Sequence, residues 1–405
     1  TAVEKCLEAW VGFLAGYGSD AAKASFMKEA ALCWKGYWEG FAASVRSRLS
    51  DGKADEVYLD LLRHCRFIPM LPSASRRRLA GLLAEAKTAL KPGTRGFAVA
   101  STLDYLAARL TPKGYFSNAP GDPPSKKADV LTALSLAAFA RLGSTASAGP
   151  YSAQVAGALK WARKIQNEKG AFCGQDRSTL QVLYTWALAE YLLATGDVSV
   201  RPMLSAAFAD LEERQRPDGT FGVPLIGYDP LLEMAFAAIA VERAKQASLH
   251  VPEKLAAGIK SFALAHMDGR NKVLLDSRGK TPRPGTPEDI LLHGAVISAY
   301  NVISAQSLTT ETLDYILRIR DYKPSPSVLS PDGWFLCANV LSAFAPDQWT
   351  AFRSSLWSAL ASGTRVEDGS WSFPFPGRNR MFRSLGLPGL AAFNALTVSL
   401  LLGMD

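Results

Sequence analysis

A chain of 405 residues that is 48% hydrophobic and 20% charged, with mean hydropathy +0.04, has the composition of a folded protein with a large interior and excludes wholesale disorder. Its net charge of +8 and pI near 9.2 favour acidic or anionic ligands or protein partners in general, but it carries no specific nucleic-acid motif. No apolar run approaches the ~20 residues of a spanning helix, and five widely spaced cysteines without a C-x-x-C exclude a disulfide framework and a zinc knuckle and read as buried free thiols.

The first residue is Thr1, which leaves room for a removed signal or transit peptide, so no compartment follows. Residues 1–93 read as a helical region. Trp10, Phe13 and Leu14, then Trp34, Tyr37, Trp38 and Phe41, recur at helical spacing, and Val57 to Phe67 forms a further amphipathic set before Pro69 and Pro72. Arg76, Arg77 and Arg78 open a helix through Ala89, where three cations oppose the macrodipole and are read either as a solvated face or as an anion or protein contact. A Pro/Gly connector around Pro92 and Gly93 marks the boundary to a second region, 94–405.

In that second region a glycine-centred signature recurs at Gly114, Gly170, Gly219, Gly269, Gly333 and Gly369, with a mean period of about 51 residues. Five of the six put an aromatic residue one or two positions after the glycine. Before each glycine lies an amphipathic helix: 97–109, 152–166, 203–215, 252–266, 310–319 and 347–361. After it comes a more apolar one: 126–141, 179–194, 229–247, 287–307, 334–344 and 387–403. A helix that is apolar most of the way round must be buried. The expected architecture is therefore all-α: an α/α toroid of about six helix-pair repeats, with inner and outer rings, following an N-terminal helical region. Asp229-Pro230 and Thr286-Pro287 place an N-cap side chain ahead of a proline at the first helical position.

Gln215-Arg216-Pro217-Asp218-Gly219-Thr220-Phe221-Gly222 and Glu367-Asp368-Gly369-Ser370-Trp371 resemble the prenyltransferase/squalene oxidase repeat of the terpenoid cyclase and protein prenyltransferase superfamily. The resemblance covers roughly residues 97–405 and implies the toroid fold. Its catalytic motifs carry over poorly. The Asp-x-Asp-Asp acid of class II cyclases has no counterpart here, and Glu288-Asp289 is explained by helix capping. The zinc set of protein prenyltransferases is similar at Asp229 and His293, but Leu231 stands where the cysteine belongs, so no metal or other cofactor is expected. Thioester-type toroids carry Gly-Cys-Gly-Glu-Gln, and Phe172-Cys173-Gly174-Gln175 has those ingredients in the wrong order. No P-loop, G-x-S-x-G, H-E-x-x-H or G-x-G-x-x-G is present.

Two sets of residues remain as site candidates. Polar groups on the apolar helices and their leading loops comprise Asp176, Gln181, Tyr184, Asp229, Glu233, Asp289, His293, Tyr300 and Asn394. Among them His293, Asp229, Asp289 and Glu233 are the candidate general acid–base groups, and Tyr184, Asp176 and Tyr300 are ligand contacts. The stretch from Trp371 to Arg383 interleaves aromatics and prolines with Arg378, Arg380 and Arg383, which suits either closure of one end of the barrel or capture of an anion, a carboxylate or an acidic peptide. The expected function is that of a divergent, non-prenylating toroid serving as a binding or interaction module. The alternative is an enzyme with an acid/His site in the barrel cavity, acting on an isoprenoid-like or polysaccharide substrate.

Overall fold

A computed structural model describes residues 37–68, 71–119, 121–172, 178–222, 230–265, 331–344, 346–370 and 380–403. Its regular structure is helical, and it includes an isolated antiparallel bridge between Leu110 and Phe116. A helical stretch at 37–50 leads into α1 (Ala54–Cys65), α2 (Ser73–Thr88) and α3 (Arg95–Ala107). Then come α4 (Lys126–Arg141), α5 (Ser152–Ile165), α6 (Ser178–Thr195), a 3-10 turn at Val198–Val200, α7 (Arg201–Arg214), α8 (Pro230–Gln246) and α9 (Glu253–Ala265). The last three are α10 (Pro331–Phe344), α11 (Pro346–Gly363) and α12 (Arg380–Leu401). Among the described residues no helix is long and apolar enough to cross a membrane.

The helices fall into the two expected kinds. In α4 and α6 nearly every residue is buried whichever way it points, whereas α5 and α7 bury one face each. The fully buried helices pack on one another in the order α10, α12, α4, α6, α8, so the C-terminal helix returns to lie against the first of the set. Each amphipathic helix covers a buried one: α5 on α4, α7 on α6, α9 on α8 and α11 on α10. Ser125 caps α4 by accepting from the Ala128 amide at 3.2 Å, and Thr94 does the same for Phe97 at the start of α3. α12 is broken at Gly386 (φ 67°), two residues before Pro388; its long final segment is the helix anticipated from 387 onward.

The glycine loops show why the period exists. Gly114, Gly170, Gly219 and Gly369 all have positive φ, between 74° and 96°. In each, the glycine amide bonds back to a carbonyl three or four residues earlier, as with Gly219 to Arg216 (2.9 Å) and Gly170 to Asn167 (3.0 Å). Each also presses on the backbone of the next amphipathic helix. Gly114 meets Gly157 of α5, Gly170 meets Ala206 of α7, Gly219 meets Gly258 of α9, and Gly369 meets Ser101 of α3. A small residue is needed on both sides of that contact. The last loop thus docks on the first helix of the series. Gln166 and Gln215 tie the seam: each side-chain amide donates to its own loop glycine carbonyl and to a carbonyl of the next helix, Met203 or Leu255.

One expected loop is not there. Pro331-Asp332-Gly333-Trp334-Phe335 forms the first turn of α10 instead of a glycine turn. Proline is tolerated at a first helical position, the Asp332 carboxylate accepts from the Gly333 amide at 2.9 Å, and burial of Trp334, Phe335 and Leu336 at 1% exposure or less carries the helix forward. The expected helices 287–307 and 310–319 and the loop at Gly269 lie outside the described residues.

Within 37–88 the packing is of the same kind. The His64 ring is buried against Phe41, its Nε2 meets the Tyr37 hydroxyl at 2.9 Å and its Nδ1 the Asp60 carbonyl oxygen at 2.7 Å. Arg63 and Arg66 donate to the carbonyls of Leu402 and Gly403 at the end of the chain, both at 2.9 Å. The arginine triplet lies one turn into α2, and Arg76 folds back onto the Leu71 carbonyl at 2.7 Å. Cys65 and Cys337 are buried and in no disulfide with each other, and burial pushes the Cys65 thiol up to about 12.

Candidate functional site

The starts of α4, α6, α8 and α12 each follow a glycine loop, so side chains in these first turns define one end of the helix set. Glu233, in the first turn of α8, is buried and receives hydrogen bonds from the Ser178 hydroxyl (2.8 Å) and from the Thr179 hydroxyl at the start of α6. Two donors from the neighbouring helix satisfy its oxygens, so Glu233 braces α6 against α8. Gln181 is committed in the same way: its carbonyl accepts from the Phe172 amide (2.8 Å) while its amide donates to Gly170 and Ala207. Tyr184 is fully buried and stacks on Phe172 with centroids 4.7 Å apart. Its phenol is pushed well above the usual tyrosine range, chiefly by burial, with the Asp129 charge adding and the Thr132 hydroxyl opposing.

Asp129 belongs to this end as well, although the sequence patterns did not single it out. It sits in the first turn of α4 and accepts from the Trp161 indole N–H at 2.8 Å; burial raises its carboxyl above the ordinary value against that bond. The available signal was an acid one turn into a helix that is otherwise apolar. Asp129, Glu233 and Asp332 now appear as first-turn acids on three buried helices, each with a hydrogen-bond donor in place.

Deeper along the described buried helices, aromatic rings fill the space between them. Trp186, Phe236, Phe335 and Phe393, from α6, α8, α10 and α12, pack at centroid separations of 4.6–6.3 Å, all essentially without exposure. Towards the C-terminal ends lies a buried ionic group. Glu190 of α6 takes Arg141 of α4 at 2.9 Å and Arg243 of α8 at 3.4 Å, and its Oε1 also accepts from the Trp186 indole at 3.1 Å. Arg141 donates to the Ser399 hydroxyl of α12 (2.8 Å) and Arg243 to the side-chain Oδ1 of Asn339 in α10 (3.3 Å), so five helices meet in one network. Burial opposes ionisation of Glu190, but the two guanidiniums and the Trp186 bond outweigh it and hold the carboxyl below the usual range. A carboxylate so committed is a fixed counter-charge and not a proton donor.

Among the expected site residues, Gln181 and Tyr184 meet on Phe172, while Glu233 is held by Ser178 and Thr179 at the start of the same helix α6. Asp176, Asp229, Asp289, His293, Tyr300 and Arg378 lie outside the described residues, while Arg380 and Arg383 fall in the first turn of α12. Asn394, also expected, is buried beside Thr102 and Trp357 in a small cavity between α3, α11 and α12. Among the described residues no cluster of His, Cys, Asp and Glu is placed to hold a metal ion. Compared with known proteins, the chain matches no family model and no curated protein.

Proposed function

We propose that the chain is a divergent α/α toroid of the terpenoid cyclase and prenyltransferase kind, and that it serves as a non-prenylating binding or interaction module. The order of the buried helices and the docking of the Gly369 loop on α3 support the closed ring. The observation that carries the functional reading is the filled centre. An isoprenoid cyclase needs an apolar chamber and a polysaccharide enzyme an open groove, whereas here four aromatic side chains and the Arg141–Glu190–Arg243 group occupy the space among the described buried helices. Binding then falls to the outer surface, where a net charge of +8 favours an acidic partner.

The test is twofold. The purified protein is incubated with prenyl diphosphates, linear triterpenes and acidic polysaccharides, in parallel with Asp229→Asn and His293→Ala. Binding to polyglutamate and to heparin is followed by fluorescence anisotropy over a salt series. Saturable, salt-sensitive binding without turnover is the expected result. Turnover that either variant abolishes while the fold is retained would overturn the reading in favour of a cavity enzyme.

A further inference from the structure

The helical stretch 37–50 and α2 form the walls of a surface groove of about 600 Å³. Each wall contributes residues at the i, i+3, i+4, i+7 spacing of a single helix face: Glu39, Ala42, Ala43 and Arg46 on one side, Arg78, Gly81, Leu82 and Glu85 on the other. Small and apolar residues line the floor, and a charge stands at each corner. All four charged residues are exposed, and none has an ion-pair or hydrogen-bond partner for its side chain among the described residues.

The direction of the helices determines which charges face one another. Stretch 37–50 runs antiparallel to α1, since Arg48 pairs with Asp60 at 2.8 Å while Tyr37 reaches His64. α2 runs antiparallel to α1 too, because the chain beyond its end returns to the start of α1, where the Gly96 amide donates to the Asp55 carboxylate at 2.5 Å. The two walls are therefore parallel. Glu39 stands across from Arg78 and Arg46 across from Glu85, so charge alternates around the four corners.

We propose that this face pairs with the same face of a second copy of the chain. A rectangle of alternating charges is complementary to its own copy placed face to face: a two-fold axis along the groove sets Glu39 against Arg78 of the other molecule, and an axis across it sets Glu39 against Arg46. Either way every corner meets its opposite. A foreign helix would have to reproduce two charges of the right sign about 10 Å apart on each flank, a pattern the chain already possesses. Eight groove residues are few beside the roughly 20–30 a side of a stable interface, so the dimer is weak and dependent on concentration and salt.

Sedimentation velocity on the full chain over a concentration series tests this. The wild type is expected to move from monomer to dimer at low salt, and about 0.5 M salt to weaken the association by about tenfold or more. Glu39→Lys with Glu85→Lys makes all four corners basic, and Arg46→Glu with Arg78→Glu makes all four acidic. Each double variant alone is expected to stay monomeric, and an equimolar mixture of the two to recover the dimer. Circular dichroism checks the fold. Should a double variant not fold, Glu39→Gln with Glu85→Gln takes its place and is expected to weaken association about tenfold. A wild type that is monomeric throughout, a double variant that dimerises like the wild type, or a mixture that remains monomeric would each overturn the pairing. So would a groove that binds an unrelated amphipathic helix while the wild type remains monomeric.

Discussion

The pentapeptides Pro217-Asp218-Gly219-Thr220-Phe221 and Pro331-Asp332-Gly333-Trp334-Phe335 differ at one position, yet the first is a turn and the second opens a helix. In the turn, Gly219 has φ 85°, lies on the backbone of Gly258 and is hooked by Gln215. The residue four before Gly333 is Leu329, which has no amide to offer, but Leu110 and Arg365 hold that place before the Gly114 and Gly369 turns, so the hook reinforces a turn without creating it. At 331 the proline takes a first helical position, the aspartate bonds the next amide, and Trp334 replaces the hydroxyl that Thr220 gives to Asp218 at 2.7 Å. The pentapeptide does not choose its own conformation. The small residue waiting on the next helix and the burial of the side chains that follow its glycine do.

The strongest way to break this contrast is to add one methyl group. Gly369→Ala puts a Cβ at φ 74° onto the Ser101 backbone, and Gly170→Ala does the same against Ala206, so neither can be relieved by a rotamer change. Each is expected to cost about 3 kcal/mol or more, read from urea midpoints. Gly333→Ala lies within helix α10, where an L residue is allowed and alanine gains about 1 kcal/mol in propensity. It is expected to cost far less. Similar losses at Gly333 and Gly369 would mean that the two stretches are not conformationally distinct.

The same contrast marks where the chain was readable. Helix 126–141 was legible to the residue, because Ser125 caps it and its apolar character runs unbroken. The glycine turns were legible too, since positive φ leaves glycine little competition. The 331 stretch does not form the expected loop because a nearly identical local signal is resolved by the residues it packs against. Arg141, Glu190 and Arg243 were not singled out. In an apolar helix a lone charge looks like a helix end or a solvated tip, and only the packing order of α4, α6 and α8 shows that the three converge. Glu233 was recognised as a polar first-turn residue, but its partners Ser178 and Thr179 are more than fifty residues away in sequence. Contacts of that range depend on helix order, which local patterns do not encode.

Smaller perturbations sharpen the comparison from each side. Asp332→Ala removes a fully buried carboxylate from the first turn of α10, where it meets both the Gly333 amide and the positive end of the helix. A loss of about 2 kcal/mol is expected, with the helix content of the remaining chain retained by circular dichroism. On the turn side, Gln166→Leu keeps the volume but removes the side-chain donor that ties the Gly170 and Met203 carbonyls together, leaving Gly170 with the Gln181 amide alone. About 1 kcal/mol is expected, and local hydrogen exchange at residues 166–172 should rise before global unfolding does. If Gln166→Leu had no effect on either measurement, the hook would be incidental and the glycine contact alone would set the seam.

The smallest effect distinguishes the turns by pH. In the Gly219 loop Asp218 accepts from the Thr220 hydroxyl and amide, and those bonds hold its carboxyl below the ordinary value; in the Gly369 loop Ser370, whose amide donates to Asp368 at 2.8 Å, lowers that carboxyl too. A depressed acid stabilises the fold above its unfolded pKa of about 3.9 and loses that contribution as pH falls through the lower folded value. Both carboxylates are largely exposed, so after solvent screening the two together are worth well under about 1 kcal/mol. Asp218→Asn with Asp368→Asn keeps an acceptor at each turn but cannot titrate. The double variant is therefore expected to lose less stability than the wild type between about pH 4 and pH 2, measured as the difference in melting temperature at the two pH values. An identical acid limb in both proteins would show that these carboxylates do not help hold the turn, leaving the glycine contact, with Gln215 in the Gly219 loop, to set the seam.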